Sequence, residues 1–133
     1  MMAGRDGPLL AALAAVGIGA ALGAWLRWGL AYWLNPKLEH LPLGTLTANL
    51  VGGYLIGIAV AVFAANPALP PFWRLLLITG FLGGLTTFST FSAENVALLA
   101  SGAWGGALLH AGLHLAGSLF ATAVGIASVR AFT

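Results

Sequence analysis

The sequence predicts an all-α integral membrane protein, four transmembrane helices per subunit in one domain over residues 1–133. Three observations predict it. The chain is 60% hydrophobic and only 6% charged, against roughly 25% charged residues in soluble domains, and its mean hydropathy is +0.98. Charges are absent from Pro8 to Leu26, Leu41 to Trp73, Leu75 to Ala93 and Asn95 to Val129, stretches that reach the ~20 residues a bilayer requires. Turn residues cut these stretches into four helices with loops too short to hold a soluble domain.

The first helix is expected over Leu9–Leu34. Arg5 precedes it as in a signal peptide, but the run continues through Trp25, Trp28 and Trp33 without a small-residue cleavage site, so it is read as a retained helix. Asn35-Pro36 ends it. The second helix, Leu43–Ala65, is closed by Asn66-Pro67 and Pro70-Pro71. The third runs over Phe72–Leu99, and Ser101-Gly102 with Gly105-Gly106 separates it from the fourth, Ala103–Val129. Cysteine is absent, which removes disulfides and thiolate metal sites.

Basic residues near helix ends are held on the cytoplasmic side. Arg5, Arg74 and Arg130 fall on the side of both termini, and Lys37 and Arg27 towards the other, three against two. So small a bias predicts insertion in both orientations. Four helices are too few to surround a conduction path, and an antiparallel, dual-topology homodimer supplies the remainder.

The third helix carries the most unusual segment, GFLGGLTTFSTFS from Gly80 to Ser92. Hydrocarbon tolerates polar or irregular backbone only where protein buries it or where it lines a cavity. As one helix, Phe72–Leu99 would be ~42 Å long against a core of ~30 Å, and Gly80, Gly83 and Gly84 weaken its centre. Two readings follow. A mid-membrane break would free carbonyls that converge from two antiparallel copies into a cage for a small hard cation. Alternatively the glycines serve close helix contact, which sequence physics alone favours.

Among polar groups, Asn49 lies mid-membrane in GTLTANLVGG, either as an interhelical hydrogen bond or as an amide donor for an anion. Phe88 and Phe91 share a helical face, a spacing usual in cores. Their ring edges nevertheless carry partial positive charge and would hold an anion without a trapping cation. Ser89, Thr90, Ser118 and Thr122 offer hydroxyl donors whose ordinary use is a bond to the carbonyl one turn back. Arg27 is the one cation embedded in an apolar helix, either functional or snorkelling to the headgroups. His110 and His114 share a face at i,i+4 but no third ligand of suitable type accompanies them, so no metal is expected there. Glu94 is expected to cap or to bond a neighbouring helix.

Three segments, GAALGAWLR (Gly19 to Arg27), GTLTANLVGGYLIG (Gly44 to Gly57) and GFLGGLTTFSTFSAE (Gly80 to Glu94), together resemble the Fluc/CrcB family of small four-helix fluoride ion channels over nearly the whole chain. The resemblance implies a dual-topology homodimer in the cell inner membrane, passing fluoride through two antiparallel pores around a central structural sodium ion. Carried over residue by residue, it places the sodium carbonyls on Gly83 and Thr86, the pore asparagine on Asn49, the phenylalanine pair on Phe88 and Phe91, the polar track on Ser89, Thr90, Ser118 and Thr122, and a vestibule arginine on Arg27. It also reverses the preference at the glycines in favour of a break. Ala20, Gly53 and Tyr54 depart from residues frequent in relatives.

Fluoride is small and strongly hydrated, so a selective path replaces its water with dense donors in a narrow space. A fixed cation in the throat would bind it too tightly for release. The weak-acid chemistry that the family implies traps fluoride in the cytoplasm, and a passive pore driven by an inside-negative potential exports it and protects against its toxicity. No catalytic constellation is present, so an enzyme is not expected, and neither is a nucleic-acid partner. The alternative is a small four-helix multidrug or cation exporter. It requires a membrane-embedded acid, for which only Glu94 is available. A scaffold subunit would explain the small residues but not the clustered donors.

Overall fold

The computed structural model describes residues 3–133, with side chains from residue 8 onward; Arg5, counted in the charge balance, lies outside the described side chains. Helix α1 (Ala3–Leu34) leads through a 3-10 turn, Asn35–Lys37, to α2 (Leu43–Ala65). A third membrane segment combines α3 (Pro71–Arg74), a π-helical stretch Leu75–Leu82, α4 (Gly83–Leu85) and α5 (Phe88–Ala100), and α6 (Trp104–Ala131) closes the chain. Four segments, Pro8–Lys37, Leu43–Ala65, Pro71–Ala100 and Trp104–Ala131, are long and apolar enough to cross a membrane.

The turns carry out the chemistry their residues announce. Asn35 does more than end α1, because its Oδ1 accepts the N–H groups of Gly44 at 2.7 Å and Thr45 at 3.2 Å, which are orphan donors at the start of α2. Between α5 and α6, Gly102 adopts φ +80. Gly102 N–H donates to Leu99 O at 3.1 Å and Ala103 N–H to Leu98 O at 2.9 Å, the paired bonds of a Schellman motif.

Small residues set the packing. A Cβ added at Gly23 would overlap the Phe81 carbonyl, and one at Gly84 would overlap that of Ala20, so α1 meets the third segment backbone to backbone. Gly57 and Gly125 bring α2 and α6 together in the same way. Between these pairs lies a small buried cluster of Ala48, Leu82 and Leu85, with Leu30, Leu55, Ile56, Ala59 and Phe81 packed against it. Trp25, Trp28, Trp33 and Trp104 stay exposed, as expected of side chains that meet lipid.

The glycine cluster resolves differently from the sequence expectation of unwinding at the glycines. Gly80 belongs to the π-helical stretch and Gly83 is helical at φ −62, ψ −36. The extended residues come later, at Thr86 (φ −87, ψ 153) and Thr87 (φ −151, ψ 120). The physical reason is twofold. Gly80 and Gly84 lie directly against the α1 backbone, where an added Cβ would clash, so they serve packing while staying helical. Two consecutive β-branched residues accept an extended backbone more readily than a helical one. Gly83 is different, because a Cβ there would meet only Ile78 O at 3.7 Å.

Candidate functional site

Leaving the helix at Thr86 and Thr87 diverts backbone groups from their ordinary partners. In a continuous α-helix the Thr87 N–H would donate to the Gly83 carbonyl and the Thr90 N–H to that of Thr86. Here Thr87 N–H donates to Asn49 Oδ1 at 2.8 Å, and Thr90 N–H donates to Thr87 Oγ1 at 3.1 Å, an N-cap that starts α5. The Gly84 carbonyl accepts from Arg27 Nε at 2.9 Å. Gly83 and Thr86, chosen from sequence as cation-binding carbonyls, are therefore two residues whose helical donors are spent elsewhere. Hard oxygen donors of this kind fit a sodium ion better than a transition metal.

Asn49 forms a two-way clamp on Thr87. Besides accepting from its N–H, the Asn49 Nδ2 donates to Thr87 O at 3.0 Å. These two bonds fix which end of the amide is which, and the second Nδ2 hydrogen is directed at His114 Nδ1, 3.0 Å away. An amide has two hydrogens to give, and both are committed. The sequence expectation of Asn49 as a direct amide donor to an anion thus meets a geometry in which that residue's donors serve the protein.

A cavity of about 660 Å³ lies between α2, the third segment and α6. Its wall brings together Asn49, Gly83, Thr86, Phe88, Phe91, Ser118 and Thr122 from the residues chosen by sequence, and adds Thr87 and His114. Phe88 and Phe91 meet with ring centroids 5.5 Å apart at 62°, and Phe88 is 78% exposed within one chain. The Thr122 hydroxyl lies 2.9 Å from both Gly53 O and Ser118 O, the backbone use typical of helical threonines. Ser89 and Thr90 are not on this wall. Their hydroxyls join Thr87 Oγ1 at 3.3 and 3.1 Å in the cap of α5. Arg27 is also off the wall, held on Gly84 O.

Beyond Phe91 runs a polar chain in which Glu94 bonds neighbouring helices, as the sequence led one to expect, but whose link to the histidine pair sequence reasoning missed. Glu94 accepts from Thr45 Oγ1 through Oε1, and its Oε2 lies 3.2 Å from His110 Nε2, so it bonds both α2 and α6. His110 and His114 are 0% and 5% exposed, and their rings pack on Phe91 at 5.0 and 4.7 Å. Glu94 is the third ligand that the i,i+4 histidine pair lacked in the sequence, since ligand atoms of all three lie within 4.8 Å of one another. The signal that could have found it is the shared face of Phe91 and Glu94, three residues apart on α5.

The hydrogen bonds nevertheless do not fit a metal. Asn95 Nδ2 is anchored on Ala107 O at 2.8 Å and faces His110 Nδ1 at 3.1 Å, as Asn49 faces His114. A ring nitrogen facing an amide N–H must accept, which directs the ring's own N–H to Nε2, whereas a ligating histidine normally donates its other N–H to an acceptor.

A family model described as "CrcB-like protein, Camphor Resistance (CrcB)" matches residues 14–126. Relatives described as "Fluoride-specific ion channel FluC" include one from Cupriavidus pinatubonensis, 62% identical over 124 residues, covering 93% of this chain and 97% of its own. One from Ralstonia pickettii is 62% identical over 119 residues, 90% and 94% of the two chains. One from Thiobacillus denitrificans is 58% identical over 121 residues, 91% and 98%.

Proposed function

This chain belongs to the CrcB family, and on that premise we propose that it is a fluoride-selective channel, a multi-pass membrane protein that lets fluoride leave the cytoplasm passively and so protects against its toxicity. The observation that carries this reading is the cavity wall, where Phe88 and Phe91 stand beside Asn49, Ser118 and Thr122 with no permanent cation among the lining residues. Ring edges and the Ser118 hydroxyl replace part of the hydration shell of a small anion without trapping it. Arg27 is occupied at Gly84 O, so its charge stands off the wall.

A second copy, antiparallel to the first in the inner membrane, completes the path. The near balance of basic residues supports both orientations, and a phenylalanine exposed to 78% beside polar groups is better covered by protein than by lipid. Thr86 and Thr87 are the mid-membrane break of the third helix. The carbonyls of Gly83 and Thr86 would hold a sodium ion between the two copies, and such an ion supplies positive field and links the subunits. A Gly83→Val substitution is expected to weaken the dimer and its sodium dependence. A Cβ at Gly83 has room within the single chain. Thr86→Ala keeps the carbonyl and is expected to be mild. Size-exclusion chromatography in sodium against a larger alkali cation reads both.

Bacteria lacking their own fluoride export test the function. Expressing this chain should restore growth in fluoride and leave sensitivity to cationic dyes unchanged. Dye resistance without fluoride resistance would favour the exporter reading instead.

A further inference from the structure

A second cavity, of about 520 Å³, opens between α2 and the first half of the third segment and shares only Leu82 with the cavity at Phe88 and Phe91. Its lining is apolar throughout, with Leu55, Ile58 and Val62 on one side and Trp73, Leu77 and Phe81 on the other. From this groove and the cation at its mouth, the geometry points to a binding site for an anionic phospholipid, with an acyl chain lying in the groove and the headgroup phosphate meeting Arg74.

The groove has the length of one leaflet. From Leu55 to Phe63, α2 rises about 12 Å, against about 15 Å for half of the hydrocarbon core. One end lies at Phe81 and Leu82, beside the buried cluster, and the other reaches Leu69 and Trp73 where the chain turns from α2 into α3. A tryptophan at such a helix end meets headgroups. Arg74 follows it, with its guanidinium carbon 5.4 Å from the centre of the Phe63 ring, and Phe63 is itself part of the groove. A guanidinium held on a ring face keeps N–H donors in its plane for the bidentate geometry that a phosphate takes. Among the described residues the one ion-pair contact joins His110 and Glu94, so no described carboxylate neutralises Arg74.

A second copy of the chain is the competing occupant. Helices associate in a membrane through small residues and shared hydrogen bonds, and this groove offers one small residue, Ala59, and no polar side chain. Branched and aromatic walls suit a flexible chain of methylenes. A basic residue without a described acidic partner suits a lipid of net negative charge.

The test uses the purified full chain with the photoreactive residue benzoylphenylalanine in place of Ile58 inside the groove or, in a second version, in place of Leu69 at its mouth. Each is reconstituted into liposomes of equal parts phosphatidylglycerol and phosphatidylcholine with identical acyl chains, and illuminated. Mass spectrometry of the intact protein should show phospholipid adducts in which phosphatidylglycerol exceeds phosphatidylcholine roughly fivefold, the effect expected of one basic residue at an anionic headgroup. Arg74→Gln should bring that ratio close to even. Adducts of twice the chain's mass at either position place a second copy in the groove and overturn the proposal. An even ratio with Arg74 in place, or a ratio that Arg74→Gln leaves unchanged, overturns it as well. None of these readouts involves fluoride, so their failure is distinct from a failure of the channel reading.

Discussion

Replacing Phe91 or Phe88 with isoleucine is expected to reduce fluoride efflux at least tenfold while leaving a folded, assembled protein. Bulk and apolarity are nearly kept, and volume-conserving changes in a core usually cost less than ~1.5 kcal/mol. The positive ring edge is what disappears, and a tenfold loss corresponds to only about 1.4 kcal/mol of lost interaction with the ion. The two residues differ in what else they touch. Phe91 also packs on His110 and His114, so Phe91→Ile loosens the polar chain behind it and should lower thermal stability. Phe88 packs on Phe91 and is otherwise largely exposed in one chain, so Phe88→Ile should leave stability nearly unchanged. Normal efflux from both variants would return the pair to ordinary packing.

Asn49→Ala is expected to have the larger structural effect. It strips partners from three groups together, Thr87 N–H, Thr87 O and His114 Nδ1. Each buried group left unsatisfied costs about 1–3 kcal/mol, so the extended pair at Thr86 and Thr87 loses the support that replaces helical bonding. The protein should unfold at a markedly lower temperature in thermal scans after reconstitution, and fluoride efflux should fall below detection. An unchanged melting temperature would show that the helix interruption does not depend on Asn49.

Much of the architecture was legible because its causes are local. Charge-free length marks the membrane segments, and Asn35-Pro36, Asn66-Pro67 and Ser101-Gly102 are turn chemistry within a few residues. The glycine cluster was legible as a place of special use, but the division of labour within it was not. Gly80 and Gly84 pack on α1 while Gly83 does not, and that depends on which face of the third segment α1 occupies. Nor does the sequence signal the π-helical stretch Leu75–Leu82, which shifts the register of everything after it. The Asn49–Thr87 clamp joins residues 38 apart, and the Asn49–His114 contact joins residues 65 apart. Only the packing of α2 against α6 and the third segment brings them together. Glu94 likewise meets His110 only once α5 and α6 are side by side.

The central claim is that this chain passes fluoride passively and selectively, and one measurement tests it most directly. The purified protein is reconstituted into liposomes loaded with potassium fluoride, and external fluoride is followed with a fluoride electrode when valinomycin is added to release potassium. Efflux should start on valinomycin addition, as expected of a charged ion moving through an open path, and the same liposomes loaded with potassium chloride should release little chloride. No fluoride efflux above protein-free liposomes, or chloride released as fast as fluoride, would contradict the account.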